Sequence, residues 1–156
     1  MNSACISIGS NIEPIHNTQQ ALILLQSMVQ VERVSRAWVI PSFGSPGPNF
    51  VNFAVQISTG MTRDELKEKV IAEIEHRLKR VRSSDKNAPR TIDLDIILFN
   101  DELVDTEIWR RPYIALPVAD LVPGLVNPGD HRLLREVASD MQQSTPARLM
   151  DDFPFV

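Results

Sequence analysis

The stretch APRTIDLDIILF, residues 88–99, places two aspartates inside an apolar run that has the composition of a buried strand. Side chains alternate along a strand, so Asp93 and Asp95 share one face, with α-carbons about 6.6 Å apart. The opposite face is aliphatic, so we predict that it packs into the core. Its residues are Ile92, Leu94, Ile96 and Leu98. Two carboxylates held this close repel each other, so the pattern indicates a cation or a paired arginine beside them.

A divalent metal is the partner that best suits such a carboxylate pair. Magnesium prefers carboxylate oxygens and keeps coordination positions open for water and for phosphate. We therefore predict that Asp93 and Asp95 bind Mg²⁺ in a metal–nucleotide complex. The alternative is that the two acids occupy the solvent-exposed side of an antiparallel sheet. Ile97 and Phe99 make the same face apolar further along, which confines the acids to one end of the strand.

Five cations precede the two aspartates within twelve residues: Lys79, Arg80, Arg82, Lys86 and Arg90. The chain contains neither G-x-x-x-x-G-K-[ST] nor G-x-G-x-x-G, so a phosphate group would be held by these side chains and by the metal rather than by a glycine-rich loop. A solvated helix end would explain the same charges.

Outward from this stretch, the pattern predicts the element order β-α-β-β-α-β. Strands are expected at residues 4–8, 31–40 and 50–58, with Pro41 ending the second of them. Asn17 or Thr18 is a candidate cap for the first helix. The second helix is predicted from the capping box of Thr62 and Glu65 to about Arg82, with one apolar stripe of Leu66, Val70, Ile74, Leu78 and Val81.

This order predicts an α+β fold of the ferredoxin-like split βαβ type, an antiparallel sheet with both helices packed on one face. A last short helix is expected near residues 133–139. The length of 156 residues fits one domain, 1–156, with a single core. The single cysteine, Cys5, has apolar neighbours and is expected to be buried.

Composition limits the classes of function. The net charge of −4 and the pI of about 5.3 argue against a nucleic-acid-binding surface, and the strands lack the basic and aromatic motif of RNA-binding modules of similar fold. There is no apolar run of membrane-spanning length and no secretion-signal pattern, so we expect a cytoplasmic protein without a membrane partner. We expect a monomer or a weak homodimer.

The string APRTIDLDIILF resembles the signature of 6-hydroxymethyl-7,8-dihydropterin pyrophosphokinases, [GA]-P-R-[TS]-[LIV]-D-[LIV]-D followed by aliphatic residues. Further similar segments occur in family order: ISIGSNI at 6–12, FVNFAV after a proline- and glycine-rich loop, IEHRLKRVR at 74–82 and LPVADLVPGLVNPG at 116–129. The resemblance implies transfer of the terminal pyrophosphoryl group of ATP to a hydroxymethyl-dihydropterin, which leaves AMP, in folate biosynthesis.

The resemblance also implies roles for individual residues. Asp93 and Asp95 match the ligands of two magnesium ions. The positions that match phosphate-contacting and catalytic arginines are Arg80, Arg82 and Arg90, with Glu75, Lys86 and Arg90 on the ATP side. The positions that match the pterin pocket are Pro41, Phe43, Gly44, Phe50 and Asn52. Asn52 offers two donors and an acceptor, which suits the mixed edge of a pterin, and an aromatic ring can cover its flat face. A hydrogen-bonded core asparagine and plain core phenylalanines are the alternative.

Two departures from the family pattern leave a second function open. Asn87 stands where the family has a tryptophan before the signature proline, and the segment between Pro112 and Pro117 is shorter than in the family, with Tyr113 in place of a histidine. Tyrosine does not become a cation near neutral pH, so that positive charge is missing, although Arg110 or Arg111 could supply one. The alternative function is a degenerate or acceptor-altered paralogue that binds nucleotide or pterin.

Overall fold

The structure is a computed structural model, and it describes residues 1–42, 46–80 and 91–155. Its strands are β1 (Asn2–Ser10), β2 (Gln30–Val34), β3 (Trp38–Ile40), β4 (Phe50–Thr59), β5 (Asp93–Phe99), β6 (Glu102–Leu103) and β7 (Arg148–Leu149). Its helical segments are α1 (Pro14–Met28), α2 (Arg63–Glu65), a π-helical segment (Leu66–Ile71), α3 (Ala72–Arg77), a 3-10 turn (Thr106–Trp109), α4 (Pro112–Leu121) and α5 (Leu134–Ser144).

The strands form one antiparallel sheet in the order β6-β5-β1-β4-β3-β7, and β2 also pairs with β4. With β2 and β3 counted as one interrupted strand, the inner order is that of the split βαβ arrangement, which confirms the predicted fold class. The centre of the sheet is β1, which pairs with β4 on one side and with β5 on the other.

Each face of the sheet is covered by helices. The first face packs under α1 and the helix that contains α2 and α3, and its core includes Leu22, Phe53 and Ile74. The second face packs under α4 and α5, and its core includes Ala54 and Ile97. The prediction of helices on one face was therefore incomplete, because α4 was not predicted from a segment that contains Pro112 and Pro117.

The first helix begins earlier than predicted. Pro14 occupies the first helical turn, where its fixed φ suits a helix start and no amide donor is needed. The two residues predicted as caps lie buried inside α1 instead: the Asn17 side chain donates to the Ile12 carbonyl, and the Thr18 hydroxyl donates to the Pro14 carbonyl at 2.6 Å. The cap prediction was wrong for this reason.

The predicted second strand is two strands, because the chain is interrupted at Ser35. The Ser35 hydroxyl accepts a hydrogen bond from the Ala54 amide at 2.8 Å, so a side chain replaces a ladder contact there. Cys5 is buried as predicted, and burial raises the pKa of its thiol to about 12. None of the described helices is long and apolar enough to cross a membrane.

A β-bulge limits the predicted alternation along β5. Cys5 pairs with Leu98 and Ile6 pairs with Ile96, so Ile97 is an extra residue on β5. Ile92, Leu94 and Ile96 lie in the first core as predicted. After the bulge, the predicted faces are wrong: Leu98 joins the second core with Ile97, and Phe99 packs against the first core.

The capping box is confirmed at the start of the second helix. The Glu65 amide donates to Thr62 Oγ1 at 3.2 Å, and the Thr62 amide donates to Glu65 Oε1 at 3.4 Å. The buried stripe follows in Leu66, Val70 and Ile74, and α3 ends at Arg77 rather than at Arg82.

We expect Thr62→Ala to lower the free energy of unfolding by about 1 kcal/mol, because the N-terminal amides of this helix lose their side-chain acceptor. The measurement is urea unfolding followed by circular dichroism. Thr62→Ser keeps the hydroxyl and serves as the control. Equal losses in both variants would show that the methyl group of Thr62, and not the cap, stabilises the helix.

Candidate active site

Two rows of residues cross the sheet where β1, β4 and β5 lie side by side. In the first row, Gly9 pairs with Asn52 on one side and with Asp93 on the other. In the second row, Ser7 pairs with Ala54 and with Asp95. Directly paired residues project to the same face of a sheet. The side chains of Asp93, Asp95 and Asn52 therefore lie on the second face of the sheet. They are at the end of the sheet where Asn52, Gly9 and Asp93 are aligned.

Arg80 joins the end of the helix to the acidic strand. Its Nη1 donates to Asp93 Oδ1 at 2.9 Å and also contacts Glu75 Oε2, and the Leu94 amide approaches the same Glu75 oxygen at 3.4 Å. The three side chains are largely buried, with exposures of 11% for Arg80, 8% for Glu75 and 17% for Asp93. This is a buried ion-pair network rather than a solvated helix end.

The backbone brings Arg80 back towards the strand. Lys79 has a φ of 60°, in the left-handed region, and the Arg80 amide donates to the Glu75 carbonyl at 3.0 Å. Burial is the largest single influence on Arg80 and lowers its pKa, but Asp93 and Glu75 together outweigh it, so the net pKa shift is upward.

The pKa of Asp95 is raised to about 7. Removal of water by the surrounding protein is the largest cause, followed by the negative charges of Asp93, Asp105 and Glu75, while Arg80 acts in the opposite direction. The Asp95 residue is exposed to solvent at the mouth of the site, beside the carboxylates of Asp93 and Asp105. Among the described residues that act on Asp95, three carboxylates oppose a single arginine, and a cation would relieve this negative charge.

These groups line a cleft of about 740 Å³ between the second helix, the start of β5 and the segment after β6. Glu75, Arg80, Asp93 and Asp95 all contribute to its wall. Asp105 also lines it, and sequence reasoning missed this residue. The sequence around Asp105 contains no motif that indicates a site residue. In the structure, a tight turn after β5 returns the chain beside the strand, and the Val104 amide donates to the Ile97 carbonyl at 2.8 Å.

The predicted pterin side lies across β1 from this cleft. Asn52 is 3% exposed, and its Oδ1 is buried without a hydrogen-bond partner among the described residues. Phe50, two positions earlier on β4, is half-buried and pairs with Ile40, next to the half-buried Pro41. The structure therefore places Pro41, just after β3, near Phe50 and Asn52 on β4.

Within the described ranges, three buried side-chain atoms lack a partner, and all belong to residues at or next to this site: Asn52 Oδ1, Arg80 Nε and Thr91 Oγ1. Buried polar atoms are nearly always hydrogen-bonded in folded proteins. A polar ligand at this end of the sheet would account for them. Thr91 was not among the predicted site residues, although it stands two positions before Asp93 in the same alternation.

Several predicted site residues lie outside the described residues: Phe43, Gly44, Arg82, Lys86 and Arg90. Of the two arginines considered as replacements for the missing charge, Arg110 donates to Glu107 at 2.5 Å and Arg111 at 3.2 Å. Tyr113 packs against the second core at the start of α4.

Magnesium fits this donor set when phosphate oxygens of a substrate complete its coordination. Among residues 1–42, 46–80 and 91–155, no group of three or more His, Cys, Asp or Glu side chains is arranged to hold a metal by itself. Mg²⁺ is commonly held by one or two carboxylates together with phosphate oxygens of the substrate. Two adjacent aspartates, one of them with a raised pKa, match that requirement.

The fold and the site define a class: an α+β domain with a carboxylate pair, a buried arginine and a buried carboxamide at one end of its sheet. Residues 5–123 match the model of the family described as 7,8-dihydro-6-hydroxymethylpterin-pyrophosphokinase (HPPK). The chain belongs to this family, as the resemblance of its sequence implied.

Relatives of known name agree with this assignment. The 2-amino-4-hydroxy-6-hydroxymethyldihydropteridine pyrophosphokinase of Synechocystis sp. is 30% identical over 138 residues, which cover 81% of this chain and 70% of the relative. The enzyme of the same name from Bacillus subtilis is 34% identical over 132 residues, covering 77% of this chain and 78% of the relative.

Among solved structures, the Plasmodium falciparum HPPK-DHPS A437G protein with STZ-DHP has a TM-score of 0.70 at 12% identity. The match covers 92% of this chain and 46% of that chain, so the present chain corresponds to under half of that protein. At this identity the likeness supports the fold alone.

Proposed function

We propose that this protein transfers the terminal pyrophosphoryl group of ATP to the hydroxymethyl group of 6-hydroxymethyl-7,8-dihydropterin, which leaves AMP, as a step of folate biosynthesis. We propose the chain, 1–156, as a single domain of this type. The observation that carries the proposal is the row Asn52–Gly9–Asp93, on one face of three adjacent strands. It puts a buried amide, whose oxygen has no partner among the described residues, opposite an acidic cleft.

The acidic side suits the triphosphate. Asp93 and Asp95 would hold two Mg²⁺ ions, which would neutralise phosphate charge and act as Lewis acids when bound. Arg80 holds Asp93 in place through their 2.9 Å ion pair, and its Nε is the donor that has no partner among the described residues. Arg82, Lys86 and Arg90 are proposed as further phosphate contacts. Phosphoryl transfer depends mainly on such positioning and charge stabilisation.

The amide side suits a pterin. Asn52 would read the mixed donor and acceptor edge of the ring, while Phe50 would cover its flat face and Pro41, Phe43 and Gly44 would form the wall. The α-carbons of Asn52 and Asp93 are two strand spacings apart, about 10 Å, which is commensurate with a bicyclic ring and its hydroxymethyl substituent. Location in the cytoplasm and a monomeric or weakly dimeric state stay predictions.

Incubation of the protein with ATP, Mg²⁺ and 6-hydroxymethyl-7,8-dihydropterin is expected to yield AMP and the pyrophosphorylated pterin in equal amounts. Chromatography of the nucleotides distinguishes AMP from ADP. Omission of the pterin is the control, since ATP hydrolysis alone gives no pterin product. ADP in place of AMP, or AMP without a pterin product, would contradict the proposed reaction.

One observation favours a second candidate, an acceptor-altered or inactive paralogue. Arg110 and Arg111, the two candidates for the missing phosphate contact, both donate to Glu107. Tyr113, at the position of the family's histidine, packs at the start of α4. The same assay separates the two functions. Binding of a nonhydrolysable ATP analogue and of pterin without AMP formation would select the paralogue.

A further inference from the structure

Gly9 lies at the centre of the row that joins the predicted pterin side to the acidic cleft. A β-carbon built on Gly9 would lie 2.3 Å from Asn52 Nδ2 and 3.3 Å from Asn52 Cγ. The three nearest atoms to that β-carbon all belong to the Asn52 side chain. The amide of Asn52 therefore extends over β1 and occupies the space that any other residue at position 9 would fill.

The need for glycine here is one of space rather than of backbone conformation. Gly9 continues the regular pairing of β1 with both neighbouring strands, and its φ is outside the left-handed region that favours glycine. Glycine inside a strand loses stability because it has no side chain to pack, so its presence marks a close approach of other atoms. The approaching group is the carboxamide of Asn52.

The carboxamide is held in this position with one atom unsatisfied. Asn52 is 3% exposed, and Oδ1 has no hydrogen-bond partner among the described residues. A displaced amide would point its acceptor elsewhere, because the asparagine side chain is short and its rotamers are discrete. The location of this acceptor thus depends on the absence of a side chain at Gly9.

We propose that Gly9 is a specificity-determining positioning residue for the pterin: it leaves the space in which the Asn52 amide extends across β1 towards the ring. This inference rests on the proposed function, because it takes the ligand of Asn52 to be a pterin. Gly9 acts through Asn52 and not through the nucleotide, so its replacement should affect the pterin and spare ATP.

Gly9→Ala is expected to weaken binding of 6-hydroxymethylpterin about tenfold, the scale of one lost hydrogen bond, with the affinity for a magnesium–ATP analogue changed less than twofold. Pterin fluorescence and calorimetry measure the two affinities. Gly60→Ala is the matched control, since a β-carbon on Gly60 has no atom within 4 Å and its φ is also ordinary. Equal loss of both ligands in Gly9→Ala would overturn the proposal and indicate a damaged sheet.

A double-mutant cycle isolates the role of Asn52. Asn52→Ala removes the three atoms that lie nearest to a β-carbon at position 9. In that background, Gly9→Ala should therefore have no further effect on pterin affinity. A further tenfold loss there would overturn the proposal.

A third readout separates this inference from the proposed function. In the ligand-free protein, Gly9→Ala should shift the side-chain NH₂ resonances of Asn52 in a ¹⁵N–¹H spectrum, while Gly60→Ala should not. An unshifted Asn52 resonance overturns the inference even if the wild type binds pterin. A wild type that binds no pterin overturns the proposed function and the ligand named here, whatever the Asn52 resonance does.

Discussion

Asp95→Asn is expected to weaken binding of a nonhydrolysable ATP analogue in the presence of Mg²⁺ by at least about 100-fold, since loss of a ligand exceeds the 10–100-fold cost of losing a partner of a ligand. The reason is the availability of the two carboxylates for a metal ion. Asp93 already accepts a hydrogen bond from Arg80 at 2.9 Å, whereas Asp95 is exposed at the mouth of the cleft. The same change should stabilise the ligand-free protein, because it removes one of several crowded negative charges.

The stability effect depends on pH with a definite sign. The pKa of Asp95 is about 7 in the folded protein against an ordinary value of 3.8, so the folded state retains a proton that the unfolded state loses between these values. The contribution of Asp95 to wild-type stability should therefore be greatest near pH 4 and fall as the pH rises to about 7. Asp95→Asn should be more stable than wild type by about 1 kcal/mol at pH 8, a value discounted for solvent exposure, and equal to it at pH 4.

Calorimetric titration with the analogue, with and without Mg²⁺, measures the binding effect, and urea unfolding at pH 4 and pH 8 measures the stability effect. Asp101→Asn is the matched control. It removes the same charge in the turn between β5 and β6, outside the residues that line the cleft, and asparagine tolerates the left-handed φ of 67° found there. Unchanged magnesium-dependent affinity in Asp95→Asn would exclude Asp95 as a metal ligand.

Local rules predicted the parts of the molecule that depend on neighbours in sequence. The capping box of Thr62 and Glu65 and the alternation of Asp93 and Asp95 are confirmed in the structure, because helical caps and strand pleating are set within a few residues. The prediction for Leu98 was wrong because a bulge at Ile97 is decided by pairing with β1, more than 90 residues away.

Tertiary contacts also overrode the local signal in α4. Pro112 is at the first turn of this helix, where proline is favourable, but Pro117 lies inside it, where proline removes a backbone hydrogen bond. The helix forms nevertheless because Ile114, Ala115 and Val118 are buried against the second face of the sheet. No local rule weighs that burial against the cost of a proline, so the segment was predicted only as proline-punctuated chain.

The environment of Arg80 could not be predicted from the cluster of cations in which it lies. Sequence spacing treats Arg80 like the neighbouring arginines, yet only three-dimensional packing brings both Glu75 and Asp93 to its Nη1. A cation in a polar loop is usually solvated. Here Arg80 is a buried partner of two carboxylates, and this difference has a measurable consequence.

Arg80→Met is expected to lower the free energy of unfolding at pH 7 by about 3 kcal/mol or more, because it removes a largely buried cation that pairs with both Glu75 and Asp93. The methionine side chain fills much of the same volume, so the loss reports charge rather than a cavity. Urea unfolding monitored by tryptophan fluorescence measures it.

Arg77→Met supplies the comparison on the same helix. Arg77 pairs with Glu73 at 2.8 Å, but the side chains are 53% and 43% exposed, so loss of this pair should cost less than about 0.5 kcal/mol. Adding Glu75→Gln to Arg80→Met should restore part of the stability, since one of the two carboxylates that contacted Arg80 is then neutral. Equal effects of Arg80→Met and Arg77→Met would contradict the buried network, and no recovery in the double variant would exclude Glu75 from it.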